Sequence, residues 1–374
     1  MEFSPEELSR YSRHLNLPNF SLAEQSALRA AKVLVVGAGG LGSPMLQYLV
    51  AAGVGTIGII DPDTIEVSNL QRQILFRTED IGQPKAVTAA RVLSQLNPHI
   101  TVRQYSEALT ASNAMEIVQS YDIVADGTDN FPTRYLVNDA CVLLDKVNVH
   151  ASIFRFEGQV SVFNYLDEKG ARGPNYRDLF PTPPPADQVM SCEEGGILGV
   201  LAGIVGSMQA LEVIKVILRM GEVLSGKLWT TNTLTHATQV LNIQKNPQNP
   251  ISGDHPTIRE LIDYDAFCGI NLPQQVTSIS ADTLKQWLED PEKDFQLVDV
   301  REAEEYERHN IGGLLLPLSE LGTHIDQLNR ESTIVVHCQS GIRSRKAIKI
   351  LSEQFGFTNL INLEGGLRSF VSHK

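Results

Sequence analysis

Two short segments of the chain contain residues that are suited to binding an anion or to acting as a nucleophile. In the first, Gly37-Ala38-Gly39-Gly40-Leu41-Gly42, the missing side chains would let backbone N–H groups approach a nucleotide phosphate. The second runs from Cys338 to Arg343, where N–H groups converging on the sulfur, together with Arg343 and the N-terminus of the following helix, would stabilise a thiolate or persulfide anion. Together, the two segments predict activation by ATP followed by sulfur chemistry.

The glycine loop is preceded by an apolar strand, predicted over residues 32–36, and opens a helix predicted over residues 41–52. The next predicted strand, over residues 56–60, ends at Asp61, whose carboxylate could accept hydrogen bonds from ribose hydroxyls. This order of strand, loop, helix and strand is typical of a nucleotide-binding fold. On its own it leaves NAD(P) and ATP equally open.

Three charged residues that follow Asp61 along the chain, two cations and a carboxylate, favour ATP over NAD(P). A triphosphate that loses pyrophosphate needs cations on the leaving group, because negative charge accumulates there in the transition state. Arg72 and Lys85 could supply those cations, and Asp129, just after another apolar strand, could hold Mg²⁺. Each has an ordinary alternative: a surface arginine, a lysine at a helix start and a helix N-cap.

Cys192 is a second candidate nucleophile. It ends a long loop, residues 170–196, and precedes an apolar helix predicted from Ile197. A helix N-terminus favours the thiolate, whereas the two adjacent glutamates oppose it. Both an intermediate-forming cysteine and a structural one fit this position.

The sequence predicts an α/β fold with parallel sheets around these residues, because predicted strands and helices alternate along the chain. The predicted boundaries are a first domain at residues 1–248, a linker at 249–273 and a smaller domain at 274–374. The apolar segment from Ile197 to Met220 carries polar residues at helical spacing. It is therefore predicted to be a core helix and not a membrane span.

Composition excludes several classes of protein. The 374 residues include 31 basic and 44 acidic side chains, a net charge of −13, which argues against nucleic-acid binding. The N-terminus lacks the apolar stretch of a signal peptide, and the four cysteines are widely spaced. We therefore expect a cytoplasmic protein with no membrane anchor and no disulfide framework.

The first domain resembles the E1-like adenylyltransferases of the MoeB/ThiF type over roughly residues 5 to 245. The motifs that carry the resemblance are Gly37–Gly42, Asp61–Asp63, Ser68–Gln73, Gly82–Lys85, Gly127–Asn130 and Glu157–Gln159. The resemblance implies a Rossmann-like domain in a homodimer. It also implies adenylation of the C-terminal glycine of a small ubiquitin-like sulfur carrier that ends in Gly-Gly.

The same resemblance implies a set of site residues. Arg13 matches an arginine that in this family reaches into the partner subunit's site, although a solvated helix arginine is the alternative. Mg²⁺ would be held with ATP at Asp129. The ATP contacts implied by the resemblance and by the glycine loop are Gly37, Gly39, Gly40, Gly42, Asp61, Ser68, Asn69, Leu70, Gln71, Arg72, Lys85, Asp129 and Asn130.

The second domain resembles rhodanese sulfurtransferases over roughly residues 275 to 374. The loop from Cys338 to Arg343 carries the resemblance, together with Leu297–Glu302. Tyrosine-phosphatase loops place the arginine one residue later, and the shorter ring suits a single sulfur. The usual Ile-Pro-Gly-Ala segment is Ile311–Leu314 here, away from the loop. The alternative is an inactive rhodanese fold that serves as a binding module.

The E1-like family often binds a structural zinc through two Cys-x-x-Cys pairs. The corresponding positions in this chain are Asn175, Asp178, Asn249 and Ser252. A structural zinc needs about four nitrogen or sulfur ligands. We therefore predict no zinc, and we expect other contacts to hold these segments.

The predicted reaction begins when the carrier's terminal carboxylate attacks the α-phosphate of ATP. Cys338, charged as a persulfide by a donor such as a cysteine desulfurase, then attacks the acyl-adenylate, and Cys192 is a candidate for the reductive release of a thiocarboxylate. An NAD-linked oxidoreductase with a rhodanese sensor and a non-catalytic sulfur-relay scaffold are the alternatives. Molybdopterin, thiamin, cysteine and tRNA thiolation pathways all use such activation, so the carrier stays unnamed.

Overall fold

The structure is a computed structural model, and it describes residues 2–184, 195–269, 276–322 and 324–372. The chain divides into two compact units, Met1–Gly269 and Ile270–Lys374. Each unit has its own sheet and its own apolar core.

The first unit alternates helices and strands through β5 and then continues with antiparallel strands. Its elements are α1 (Pro5–Arg10), α2 (Ser12–Leu15), α3 (Leu22–Ala30), β1 (Lys32–Val36), α4 (Gly42–Ala52), β2 (Thr56–Ile60), α5 (Lys85–Leu96), β3 (Thr101–Tyr105), α6 (Ala114–Gln119), β4 (Ile123–Asp126), α7 (Phe131–Leu143), β5 (Val147–Phe154), β6 (Glu157–Phe163), α8 (Tyr176–Leu179), α9 (Gly199–Leu218), β7 (Lys227–Asn232), β8 (Ala237–Asn242) and α10 (Tyr264–Phe267). Short 3₁₀ turns lie at Val67–Asn69 and Thr78–Asp80.

Its eight strands form one sheet in the order β3-β2-β1-β4-β5-β6-β7-β8. The strands from β3 to β5 are parallel, and β5 to β8 pair antiparallel. In the register, Val36 of β1 lies beside Asp126 of β4, which lies beside His150 of β5. The loops after β1, β2 and β4 therefore leave the same edge of the sheet, where ligands bind in open α/β sheets.

The antiparallel half begins with a tight hairpin. β5 turns into β6 at Arg155, which adopts a left-handed conformation with φ of 52°. β5 also extends past the end of β4, because Ser152 and Phe154 lie beyond the last β4 partner. One face of this half packs on α9, where Val160 meets Leu201 and Val205 in the main core.

The helix α9 alone is long and apolar enough, by length and composition, to cross a membrane among the described helices. In the fold it packs against α4, β5 and β6, and half of its most apolar stretch is buried. Its Gln209 is fully buried and donates to main-chain oxygens of β4 and β5. These contacts are those of a core helix.

Residues 249–269, predicted as linker, lie within the first compact unit. Tyr264 of α10 is 5% exposed and donates its hydroxyl to the buried Asp139 at 2.9 Å. Cys268 is 6% exposed in the same cluster. This segment is thus packed within the first unit, although its composition is rich in Asn and Pro.

The second unit is a five-stranded parallel sheet in the order β11-β10-β12-β13-β9. Its elements are β9 (Ser278–Ile279), α11 (Ala281–Glu289), β10 (Phe295–Asp299), α12 (Ala303–Arg308), β11 (Leu314–Leu315), β12 (Thr333–His337), α13 (Ile342–Phe355), β13 (Leu360–Leu363) and α14 (Gly366–Ser372). The central strand β12 is buried from Ile334 to His337, which makes its carboxyl end a rigid base for the loop at Cys338.

Candidate functional sites

The glycine loop makes a tight turn between β1 and α4. Gly37 has φ of +93°, and a Cβ on Gly42 would lie 2.1 Å from the carbonyl oxygen of Gly37. Gly40 lies against Arg72, whose Cγ would be 3.4 Å from an added Cβ, whereas an added Cβ on Gly39 would come no closer than 3.7 Å to its nearest neighbour. The turn therefore requires glycine at Gly37 and Gly42, and the loop has the shape of a phosphate cradle.

Asp61 anchors this loop to β2. Its carboxylate accepts the N–H of Ala38 at 2.8 Å and the N–H of Asp63 at 2.9 Å. Burial raises the pKa of Asp61, and the charge of Lys85 partly opposes that rise. The residue predicted to bind ribose thus also fixes the glycine loop.

The two predicted cations lie in the segments beside the loop. Arg72 packs against Gly40 and donates to the main-chain oxygen of Ser68 at 2.9 Å. Lys85 begins α5, its side chain is 7% exposed, and its Nζ lies 2.8 Å from Oδ2 of Asp63. A lysine this buried is held in place by that carboxylate, which also offsets part of its charge.

The other predicted contacts in the 68–72 segment divide between surface and core. Ser68 and Gln71 are exposed, whereas Asn69 is buried and its side-chain oxygen accepts the N–H of Glu66 at 3.2 Å. Leu70 packs against the main core. Asn69 and Leu70 thus have structural contacts of their own.

Asp129 and Asn130 follow β4 at the same edge of the sheet. Both are exposed, and Asn130 caps α7 by accepting the N–H of Thr133 at 3.0 Å. The helix N-cap considered as the alternative for Asp129 is therefore Asn130. The carboxylate of Asp129 faces solvent, where a hydrated Mg²⁺ could reach it.

Arg13 lies far from the glycine loop of its own chain. It is exposed on α2, two residues after Tyr11, whose ring packs against Gly53 at the C-terminal end of α4. The glycine loop is at the N-terminal end of α4, and the helix of 11 residues is about 16 Å long. The structure thus does not bring Arg13 to the loop within one chain.

The prediction for Cys192 lies outside the described residues, which resume at Gly195.

The loop after β12 builds a cradle around Cys338. Its Sγ accepts the N–H of Gly341 at 3.1 Å and lies 3.6 Å from the hydroxyl of Ser344. Gly341 has φ of +90°, which aims its N–H at the sulfur, and α13 begins at the next residue. The sulfur thus sits where N–H groups and a helix N-terminus stabilise an anion.

A second turn braces this loop from the other side. Leu367 and Arg368 donate their N–H groups to the carbonyls of Cys338 and Gln339 at 2.8 and 3.0 Å. Gly366 permits this approach, because a Cβ there would lie 2.4 Å from the carbonyl oxygen of Cys338. The Cys338 side chain is fully buried in the described part of the chain.

Arg343 is engaged by a residue that the sequence analysis did not single out. Its two terminal nitrogens lie 2.7 and 2.8 Å from the carboxylate oxygens of Glu305 in α12. Hydrogen bonding to Arg343 holds the pKa of Glu305 below its ordinary value. Glu305 lies just after the Leu297–Glu302 motif, and nothing in its local sequence distinguishes it from the neighbouring glutamates.

The buried side chain of Arg301 also supports the Cys338 loop. Arg301 is 2% exposed, binds the carboxylate of Asp299 through two nitrogens and donates to Oε1 of Gln339 at 3.3 Å. His337 is fully buried 3.8 Å from Asp299, and burial lowers its pKa to about 4. His337 is therefore neutral at pH 7.

The four positions at which the E1-like resemblance implies zinc ligands form a hydrogen-bonded cluster here. Asn175 donates to Ser252 at 2.7 Å, and Asn249 donates to Asp178 at 2.8 Å and to Asn175 at 3.2 Å. Asp178 also accepts two main-chain N–H groups, those of Asn175 and Asn246. These amide, carboxylate and hydroxyl groups are engaged with one another and do not fit a structural zinc.

Comparisons with known proteins cover both units. Residues 11–251 match the ThiF family, and residues 280–373 match the Rhodanese-like domain. The sulfur carrier protein adenylyltransferase of Thermus thermophilus is 52% identical over 270 residues, which are 72% of this chain and 100% of that protein. The probable adenylyltransferase/sulfurtransferase MoeZ of Mycobacterium tuberculosis is 43% identical over 372 residues, 97% of this chain and 93% of that protein.

The crystal structure of E. coli MccB with MccA-N7isoASN superposes with a TM-score of 0.59. It covers 67% of this chain and 76% of the MccB chain at 22% sequence identity. At that identity the likeness concerns the fold.

Proposed function

This chain belongs to the ThiF family and carries a rhodanese-like domain at its C-terminal end, and from that premise we propose that it converts the C-terminal glycine of a ubiquitin-like sulfur carrier into a thiocarboxylate. The chain is an adenylyltransferase and a sulfurtransferase, like the relatives that match nearly its full length. The observation that carries the proposal is the presence, in one chain, of both the glycine cradle and the cysteine cradle.

ATP is the substrate of the first step. The residues of the first unit fit it, because the loop is uncrowded at Gly39, Arg72 packs against Gly40, and Lys85 lies close enough to Asp61 for its charge to act on that carboxylate. The carrier's carboxylate oxygen would attack the α-phosphate and pyrophosphate would leave. The two cations would then stabilise the charge that develops on the leaving group. Asp61 would accept a ribose hydroxyl with the lone pairs that Ala38 and Asp63 do not use.

Magnesium would enter with ATP and be held by Asp129. An exposed carboxylate with room for water molecules suits Mg²⁺, which retains several waters and is held through one or two carboxylates together with substrate phosphates. The position of Asp129 at the carboxyl edge of the parallel strands, beside the glycine loop, supports this assignment.

The adenylating site would be completed by a second copy of the chain. Arg13 lies at the far end of α4 from its own glycine loop, so a homodimer would let it serve the site of its partner. An apolar stripe on α9 gives such a dimer a surface to cover: Val200, Ile204 and Leu211 are 63%, 46% and 48% exposed.

A mixing experiment tests this arrangement. Chains with Arg13→Ala and chains with Asp129→Ala should each be inactive in exchange of pyrophosphate into ATP. In a mixed dimer, one of the two sites would have both residues. Mixing and re-equilibrating the two variants should therefore restore about a quarter of the wild-type activity, and no restoration would refute the shared site.

The carrier's tail would approach along the antiparallel half of the sheet. A cleft of about 380 Å³ opens over the face opposite α9. A polar row across four strands lines it: Ser152, Gln159, Thr230 and Gln239 are register partners. Because Ser152 lies past the end of β4, this cleft opens at the same edge as the glycine loop. An extended tail with polar main-chain groups suits such a lining.

Sulfur transfer would follow on the second unit. A donor such as a cysteine desulfurase would load Cys338 as a persulfide. The outer sulfur would attack the acyl carbon, AMP would leave, and an acyl disulfide would join carrier and enzyme. Attack of the Cys192 thiolate on Sγ of Cys338 would release the thiocarboxylate and leave a Cys192–Cys338 disulfide. A thiol reductant must then supply two electrons to reset the enzyme.

The deciding experiment presents purified candidate carriers together with ATP and Mg²⁺ and measures exchange of pyrophosphate into ATP. Exchange with one carrier is expected, because only adenylation produces it. Mass spectrometry of that carrier should then show the replacement of one oxygen by sulfur when a persulfide donor is added. A complete lack of exchange with every carrier would refute the proposal. A cytoplasmic location fits the free thiols of Cys141, Cys268 and Cys338.

A further inference from the structure

The residue that precedes Asp129 is held from two sides by buried charged side chains. Thr128 donates its N–H and its hydroxyl to Oδ1 of Asp126, at 3.0 and 2.6 Å. Its carbonyl accepts from Nε and Nη2 of Arg134 at 3.3 and 3.1 Å. Every hydrogen-bonding group of Thr128 is therefore engaged.

The base of this turn is tied to three other elements. The second oxygen of Asp126 lies 3.1 Å from Nδ1 of His150 in β5. The main-chain oxygen of Asp126 accepts from Gln209 of α9 at 2.8 Å. Gly127 donates its N–H to Val36 of β1 at 3.0 Å, which joins the turn to the glycine loop.

The surroundings of Asp126 and His150 determine the charge that each side chain carries. Burial raises the pKa of Asp126, but the hydrogen bond from His150, the charge of Arg134 and the hydrogen bond from Thr128 outweigh that effect and hold the pKa below its ordinary value. Burial lowers the pKa of His150. Asp126 is therefore an ionised acceptor, and His150 is a neutral donor through Nδ1.

Burying these charges is costly for a fold. Asp126 is fully buried and Arg134 is 8% exposed. Buried charges are weak evidence for stability, because well-packed apolar side chains often do as well. What the two charges provide here is geometry, since they fix both peptide groups of Thr128 next to an exposed carboxylate.

We propose that Asp126 and Arg134 are positioning residues for adenylation, which hold the Thr128 peptide so that the carboxylate of Asp129 meets the metal of Mg–ATP. The inference rests on the proposed function of Asp129 in metal binding. Neither residue would touch ATP. They would act through the main chain of Thr128. Removing their hydrogen bonds to Thr128 would therefore weaken the binding of Mg²⁺ by Asp129 before it lowered the stability of the fold.

The test measures exchange of pyrophosphate into ATP as a function of Mg²⁺ concentration in the full chain with its carrier. Thr128→Val keeps the size of the side chain but removes the hydroxyl donor. Arg134→Met removes the hydrogen bonds to the carbonyl of Thr128. Each should raise the half-saturating Mg²⁺ concentration by about tenfold or more, the effect expected from losing hydrogen bonds to a charged group, one in Thr128→Val and two in Arg134→Met. Thr128→Ser restores the hydroxyl and should restore the wild-type value.

Arg177→Met is the matched control. Arg177 is a buried arginine of the same unit, paired with Asp139 at 2.7 Å, and it makes no described contact with Thr128. Its loss should lower the thermal midpoint without changing the half-saturating Mg²⁺ concentration. The proposal is overturned if Thr128→Val and Arg134→Met keep the wild-type Mg²⁺ dependence, or if Arg177→Met shifts it equally. Failure of the proposed function has another signature, namely wild-type exchange in Asp129→Ala.

Discussion

Glu305 and Arg343 form a two-point ion pair that joins α12 to the first turn of α13, with N–O distances of 2.7 and 2.8 Å. The arginine side chain is 18% exposed and the glutamate 33%. The arginine assigned to the persulfide loop is thus partly neutralised by a carboxylate.

Two variants separate the roles of this pair. If the charge of Arg343 stabilises the persulfide, Arg343→Gln should slow sulfur transfer to the adenylated carrier by roughly tenfold or more. Glu305→Gln leaves the arginine charge in place and should transfer sulfur at least as fast as wild type. Single-turnover transfer from preloaded persulfide measures both. Equal losses of transfer rate in the two variants would instead show that the ion pair has a structural role, holding α12 and α13 together.

Arg308→Gln is the control for this comparison. Arg308 is an exposed arginine of α12 that approaches Glu304 at 3.9 Å. Its removal should leave the transfer rate unchanged.

Asp129→Ala should reduce exchange of pyrophosphate into ATP by at least about a hundredfold, because the metal that shields the leaving phosphates would lose its carboxylate. The thermal midpoint should stay within a degree or two, since Asp129 is exposed. Asp265→Ala, another exposed aspartate of the same unit, should leave both quantities unchanged. Undiminished exchange in the first variant would remove Asp129 from the mechanism.

The two cysteines should divide the reaction between them. Cys338→Ala should keep exchange and lose thiocarboxylate formation, because adenylation needs no thiol and only Cys338 has the described sulfur cradle. Cys192→Ala should also keep exchange and should lose only part of the sulfur transfer, because the external thiol reductant can also release the thiocarboxylate from the acyl disulfide. Mass spectrometry of the carrier reports the outcome. Wild-type thiocarboxylate yield from Cys338→Ala would reduce the second unit to a binding module.

The cluster at Asn175, Asp178, Asn249 and Ser252 should replace a metal in holding its segments. We expect elemental analysis to find no stoichiometric zinc, and we expect a chelator to leave the melting of the first unit unchanged. Asp178→Ala should destabilise that unit by about 2–4 kcal/mol, because three donors to Asp178 would lose their acceptor. About one zinc per chain would contradict the prediction.

His337 should make the second unit sensitive to acid. Its folded-state pKa is about 4, against 6.5 as the ordinary value. Between those pH values the unfolded chain binds more protons, so stability falls as the pH drops from about 6.5 to about 4, by about 3 kcal/mol in all. Trp287 fluorescence in a Trp229→Phe background reports this unit. His337→Leu should flatten the slope, and an unchanged slope would exclude His337 as its source.

Much of the fold is readable from local patterns. The glycine loop and the strands at 32–36 and 56–60 coincide with their predicted places, because buried parallel strands are short apolar runs bounded by turns. The hairpin of β5 and β6 gives no such signal, since it turns at Arg155 in a left-handed conformation that favours glycine or asparagine. Helices α1 and α2 are separated at Tyr11, whose ring packs against Gly53, a contact that local sequence does not encode.

The parts of the site that escaped prediction depend on distant contacts. Glu305 meets Arg343 across 38 residues, and Arg177 meets Asp139 across the same separation. The segment 249–269 has the composition of a linker, but Asn249 reaches residues more than 70 positions earlier in the chain. A short stretch of sequence shows which residues are polar, whereas tertiary packing decides which polar groups pair with one another.

The polar cluster at Asn175, Asp178, Asn249 and Ser252 also bears on whether sulfur stored on Cys338 can be lost, because none of the four residues is a cysteine. A persulfide passes its sulfur to thiolates within reach, and zinc-bound cysteines are thiolates. Apart from Cys338, the described thiols are Cys141 and Cys268, both buried, and burial raises the pKa of each, that of Cys268 to about 11. Within the described residues, sulfur loaded on Cys338 therefore meets no exposed thiol of its own chain to which it could be lost.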